Sequence, residues 1–247
     1  VEDRWVKIIA TRGDWISFVL DFATLKNEKK VECNFSGANA KGHQFFYDYD
    51  YIPINKYENI WLYLKTSDEK EIVSDIRNEI KKQLAPVEAL YNEGAIDSGY
   101  YGLMNSTIQT LLLHEATRRL GDLNLTNVNI KKAEGRITAV KQLFNIYPPI
   151  NKYVYYGLNS NLYANTYFAF QRSIRLKTKG LFLQPDTILV YKGRKYTITG
   201  DFAFLVSIKD KQLKEYLFGT LILGCLSVGA QEALKDEINF FTSYYPN

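Results

Sequence analysis

Two β-rich runs, residues 187–191 and 195–199, stand on either side of Lys192-Gly193-Arg194. β-rich runs of this length around a short Gly-containing turn predict an antiparallel hairpin. These runs are not uniformly apolar, 195–199 being Lys195-Tyr196-Thr197-Ile198-Thr199, and a third run, 202–208, follows Gly200-Asp201 and extends the prediction to a compact meander over 181–209. The remaining segments are expected to pack around it. The meander also carries the positive charge. Between 171 and 214 stand Arg172, Arg175, Lys177, Lys179, Lys192, Arg194, Lys195, Lys209, Lys211 and Lys214, against only Asp186, Asp201 and Asp210.

With 247 residues, the chain is long enough for a real hydrophobic core in one large domain or two small ones. Its net charge of +4 is mild and by itself calls for no nucleic-acid partner. The 19 Tyr suit half-buried contact surfaces, because each pairs a rigid apolar body with a polar tip. Cys33 and Cys225 lie far apart and form no metal-binding CxxC pair, so a reducing compartment is the simpler reading. Val1-Glu2-Asp3-Arg4 is charged and no apolar core follows it. The expectation is therefore a chain without a signal peptide, in cytoplasm or virion. The apolar stretch 216–230 is broken by glycines and falls short of the roughly 20 residues a membrane span needs. No membrane partner is expected.

The order of elements predicts an α+β fold. Residues 1–66 read as β-rich, with strands at 5–10, 15–22, 31–35, 44–54 and 59–65, and turns at Arg12-Gly13-Asp14 and 27–30. In the second run Ile16, Phe18, Leu20 and Phe22 share one face. Residues 67–148 read as helical. Thr66 and Glu69 match a capping box, and Ile72, Ile76, Ile80 and Leu84 form an apolar stripe that Pro86 should end or kink. A Gly/Tyr loop over 94–102 precedes a helix at 103–120, and a third helix runs to Phe144 before Pro148-Pro149. Residues 149–247 are expected to hold strands at 152–156 and 167–177, an Asn-rich loop at 157–165, the meander, and a closing helix over 211–241. That helix is weakened or split by Gly219, Gly224 and Gly229. The three regions are equally compatible with one domain.

Most catalytic chemistry finds no footing. Two histidines, His43 before an aromatic run and His114 within a helix, are too few for a zinc site. His114 and Glu115 are neighbours on a helix and should point apart. No Gly-rich phosphate loop and no GxSxG elbow is present. Pro185-Asp186 at the head of a hairpin resembles the start of a metal-dependent nuclease motif, in which two acids hold Mg²⁺ and a Lys stabilises the attacking water. The second strand, Tyr196-Thr197-Ile198-Thr199-Gly200, lacks the acid and the Lys. Asp201 and Lys209 are the substitutes that reading requires. Asp48 and Asp50, two apart on an expected strand, would share a face as a carboxylate pair. No cofactor or metal is expected. The basic residues Arg172, Arg175, Lys177, Lys179, Lys192, Arg194 and Lys195, interleaved with Tyr and Phe, suit either nucleic acid or a protein partner.

The run Gln184-Pro185-Asp186-Thr187-Ile188-Leu189-Val190-Tyr191-Lys192-Gly193-Arg194-Lys195-Tyr196-Thr197-Ile198 resembles a signature of small β-barrels in head–tail connector, stopper and tail proteins of tailed phages. That signature is a turn, a hydrophobic strand, x-Gly-x-x-Tyr and a second hydrophobic strand. Arg12-Gly13-Asp14-Trp15-Ile16-Ser17-Phe18 is similar to the opening of some phage baseplate and fibre β domains. Both cover short parts of the chain and transfer no functional residue. The resemblance implies a non-enzymatic virion component that assembles as a ring. The expectation is thus a structural protein acting through homo-oligomeric or larger protein contacts. The alternative is a nucleic-acid-binding protein or Mg²⁺-dependent nuclease using 171–214.

Overall fold

A computed structural model describes residues 8, 10, 14–21, 32–50, 68–121, 130–150, 160–178, 186–198, 200–226 and 234–245. The elements are β1 (Ile16–Asp21), β2 (Glu32–Gly37), α1 (Ala40–Asp50), α2 (Glu69–Asn92), α3 (Ser98–Gly121), α4 (Ile130–Ile146), α5 (Ser160–Thr178), β3 (Thr187–Tyr191), β4 (Arg194–Ile198), α6 (Gly200–Val206), α7 (Lys211–Leu226) and α8 (Lys235–Tyr244). The class is α+β, with two separate two-stranded antiparallel sheets, β1-β2 and β3-β4, among the described residues. The chain divides into two compact units, one of residues 1–146 and 153–160, the other of 147–152 and 161–247.

In the first unit β1 pairs with β2 from Ile16 opposite Gly37 to Asp21 opposite Glu32. Helix α1 packs on this hairpin. Phe35 meets Phe18 at 6.0 Å, His43 at 5.6 Å and Tyr47 at 6.1 Å between ring centroids. Helices α2, α3 and α4 pack against one another. Ile72, Ile76, Ile80 and Leu84 of α2 are buried as their spacing predicts, and Met104, Ile108, Leu112, Ala116 and Leu120 continue the stripe on α3. Buried hydroxyls on α3 bond back to the preceding turn. Thr107 donates to the Leu103 carbonyl at 2.8 Å, Thr110 to Ser106 at 2.7 Å and Thr117 to Leu113 at 2.6 Å, so no desolvated hydroxyl is stranded there.

Several expectations need correction in this unit. Residues 44–50 of the expected strand 44–54 belong instead to helix α1, and 51–54 lie outside the described residues. Asn39, Gly42, His43, Phe46 and Tyr47 are buried at helical intervals, and this period outweighs the alternation of Tyr and Asp. The N-cap of α2 is Asp68, whose carboxylate accepts from Lys70 N at 2.9 Å, not Thr66. The helix runs on through Pro86 to Asn92. Pro86 and Lys82 are both exposed, so the carbonyl that loses its proline-side donor faces water. The expected loop at 94–102 is already helical from Ser98, because Asp97 accepts from Tyr100 N at 2.8 Å and caps α3. His114 and Glu115 do meet, with Nε2 3.9 Å from Oε1, and Glu115 Oε2 lies 3.1 Å from Arg118.

The second unit has an aromatic core. Tyr196, Ile198, Phe202, Leu205, Leu213, Leu217, Phe218 and Phe240 are buried together. The expected strand at 167–177 and most of the loop at 157–165 are helix α5, where Tyr163, Ala164, Tyr167 and Phe170 turn inward at helical spacing. The third strand of the meander is helix α6. Phe202, Ala203, Phe204 and Leu205 are buried consecutively, which a strand with one bare face could not achieve, and Asp186 accepts from Gly200 N at 3.0 Å at the helix start. The expected meander or small barrel is therefore one hairpin and a helix. The closing helix is two, α7 and α8. Expected strands at 59–65 and 152–156 and the turn at 27–30 lie outside the described residues, as does 5–10 apart from Ile8 and Ala10, neither of which is in a strand.

Candidate interaction surface on the hairpin

The β3–β4 hairpin closes through Lys192 and Gly193, with φ of 48° and 74°. Two consecutive residues of positive φ make a type I′ turn, whose twist suits a two-residue hairpin. The register sets Tyr191 opposite Arg194, Leu189 opposite Tyr196 and Thr187 opposite Ile198. These residues form the inner face. Tyr191 lies 6.1 Å from Phe240 and 5.2 Å from Tyr244, and Tyr196 lies 5.7 Å from Phe240, so α8 covers this side.

Strand β3 is apolar on both faces, and only one is covered. Ile188 and Val190 are 69% and 68% exposed, among the most exposed large apolar side chains described. They stand opposite Thr197 and Lys195. Lys192 and Arg194 are exposed at the tip, with Lys192 Nζ 5.3 Å from the centre of the Tyr191 ring. An apolar pair with Lys195 beside it and cations at the hairpin tip is a surface that gains by being covered. It suits an apolar partner surface with acidic margins.

Of the residues singled out in the sequence, Lys192, Arg194 and Lys195 gather here. Arg172 and Arg175 do not. Arg172 is ion-paired with Asp201. Arg175 donates to Ser207 Oγ at 2.7 Å and sits 5.5 Å from the centre of the Phe204 ring. Both arginines thus tie α5 to α6 and its C-terminal turn. Lys177 is in the last turn of α5 with its side chain outside the description, and Lys179 lies outside the described residues. Asp186 is the cap of α6, Asp201 is the partner of Arg172, and Lys209 is exposed after α6. Among the described residues no group of three or more His, Cys, Asp or Glu side chains is placed to hold a metal ion. Asp48 and Asp50 are on α1, where residues two apart do not face each other, so the expected shared face is lost.

Sequence reasoning did not single out Ile188 and Val190. Their signal was Thr187-Ile188-Leu189-Val190-Tyr191 itself, a run apolar on both faces in a hairpin whose other strand has one polar face. A similar bare face occurs on β1, where Trp15 and Val19 are 69% and 65% exposed. No helix among the described residues is long and apolar enough to cross a membrane. No protein-family model, curated protein or solved structure matches the chain.

Proposed function

We propose that this chain is a non-enzymatic assembly protein that works through contacts between protein subunits, with the outer face and basic tip of the β3–β4 hairpin as a contact surface. The observation that carries this reading is the side-by-side exposure of Ile188 and Val190 beside Lys192, Arg194 and Lys195. Burying two such side chains is worth about 1.5–3 kcal/mol each, and the cations around them select the partner by charge. The setting we infer is a tailed-phage neck or tail, on the likeness of the 184–198 sequence to a signature found in connector proteins, which here forms a hairpin and not a barrel. The test is light scattering of the purified protein at micromolar concentration, which should give a defined multimer. A strict monomer would overturn the reading.

The second reading, nucleic-acid binding, rests on the same three cations. It predicts salt-dependent retention of DNA or RNA in a mobility-shift assay, lost in Lys192→Glu/Arg194→Glu/Lys195→Glu. Its nuclease form has less support, since Asp186 and Asp201 are engaged in capping and ion pairing. That form predicts Mg²⁺-dependent cleavage abolished by Asp186→Ala.

A further inference from the structure

We infer that the subunit contact is made strand to strand, the outer edge of β3 in one copy pairing antiparallel with the outer edge of β1 in a second copy. This inference rests on the assembly reading above and names its partner surface. It starts from which backbone groups point outward. Thr197 N donates to Asp236 of α8 at 2.8 Å, so Thr197 and its opposite residue Ile188 form a pair that does not share ladder hydrogen bonds. The backbone groups of Ile188 and Val190 therefore point away from β4. In the other hairpin Ala38 N donates to the Trp15 carbonyl at 2.9 Å, in step with the β1–β2 register. Trp15, Ser17 and Val19 thus face β2, and Ile16, Phe18 and Leu20 point outward. Among the described residues neither outer edge has a partner strand. The β4 edge, by contrast, is met by α8 through Asp236. The outward donors and acceptors of an edge strand are a template for a further strand.

The parity of these groups fixes how side chains would meet. Antiparallel pairing joins outward-pointing residues to each other, and opposed side chains lie on the same side of the sheet. Ile188 and Val190 then fall on the side of Ile16 and Phe18, where the Phe35 ring, 6.0 Å from Phe18, leads on to His43 of α1. Phe18 is 41% exposed and has surface left to cover. Trp15 and Val19 fall on the side of Leu189 and Tyr191, the side that α8 occupies. The bare face of each strand thus continues the helix-covered face of the other. In the register that sets Val190 opposite Ile16 and Ile188 opposite Phe18, Lys192 comes towards Asp14. Asp186 then stands opposite Leu20, its carboxylate engaged by Gly200 N. A β3-to-β1 contact is head-to-tail. Repeated, it closes a ring or grows a filament, and in a closed ring every outer edge of β1 and β3 is paired.

The test is disulfide trapping in a Cys225→Ala background, since Cys33 is buried. In the stated register Thr187 opposes Val19 as a pair without ladder hydrogen bonds, where Cα atoms are about 4.5 Å apart and a disulfide fits. One preparation carries Val19→Cys, the other Thr187→Cys, each checked by circular dichroism. Mild oxidation of the mixture should give the mixed disulfide as the main product and little in either preparation alone. Same-variant dimers as the main product would mean a two-fold contact and overturn the inference. A multimer in light scattering with no mixed disulfide would also overturn it while leaving the assembly reading intact. A monomeric wild type would overturn both. A charge exchange gives a second measurement: Asp14→Lys and Lys192→Glu should each lower the average mass, and together restore it. Failure of the pair to restore a mass that both singles had lowered would contradict the register.

Discussion

At the scale of single residues, His43 is the most informative side chain. It is fully buried, its Nδ1 is 3.4 Å from the Tyr100 hydroxyl, and its Nε2 has no hydrogen-bond partner among the described residues. Burial pushes its pKa below the usual histidine value, partly offset by the Asp14 charge. The unfolded chain therefore takes up a proton first, at about pH 6.5. Stability of the first unit is fully present above that pH and falls as the pH drops through it towards the folded pKa. Denaturant midpoints at pH 7.5 and 5.5 should differ in the wild type, and the difference should shrink in His43→Phe. An unchanged difference would contradict the assignment. Asn39 makes a second point. With φ of 54°, it donates to Asp97 Oδ2 at 2.8 Å and accepts from Asp97 N at 2.8 Å, joining the start of α1 to the cap of α3. Asn39→Ala should cost about 2 kcal/mol through lost hydrogen bonds and an unfavourable φ, and Asn39→Gly less, because it keeps the backbone conformation. Urea unfolding ranks the two. Asp97 is held below the usual carboxylate range by the Tyr100 N–H first and by Asn39 next. Its contribution is present above its unfolded pKa and fades only as the pH falls through the lower folded value, well clear of the histidine window.

At the scale of elements, α2 was legible from its clear period and the β3–β4 hairpin from its turn. The four-residue recurrence of Ile72 to Leu84 has no strand interpretation, and the Lys192-Gly193 turn fixes its own register. Helix α1 was misread because Phe, Tyr and Asp alternate over 46–50, a pattern strands also use. Burial at Asn39, Gly42, His43 and Phe46 decided otherwise. Helix α6 was misread because the consecutive apolar residues Phe202 to Val206 satisfy a short helix wedged between other elements as well as a buried strand. The proposed contact surface was half legible. Its cations were visible as a run, but the engagement of Arg172 and Arg175 with α6 and the residues after it depends on α6 being a helix. Gly42 tests the α1 assignment. A Cβ there would lie 2.5 Å from the Tyr100 ring and 2.7 Å from Ile96. Gly42→Ala should therefore destabilise by about 1–3 kcal/mol through overpacking, although Ala is the better helix former by about 1 kcal/mol. A thermal melt at or above the wild-type midpoint would mean that α1 does not pack there.

At the scale of the whole molecule, two compact units each bury their own core, and each carries a hairpin with one bare face. Trp15 and Val19 mark one, Ile188 and Val190 the other. Exposed apolar pairs on strands with open edges are costly for a chain that stays alone. Assembly is accordingly the central property we propose, with the β3 face as its contact. Light scattering of the wild type beside Ile188→Asp/Val190→Asp tests this most directly. The predicted result is a defined multiple of 28.6 kDa for the wild type at micromolar concentration. The variant should fall towards the single-chain mass with an unchanged circular dichroism spectrum. A wild type at the single-chain mass, or a variant that keeps the full multimer, would contradict the account.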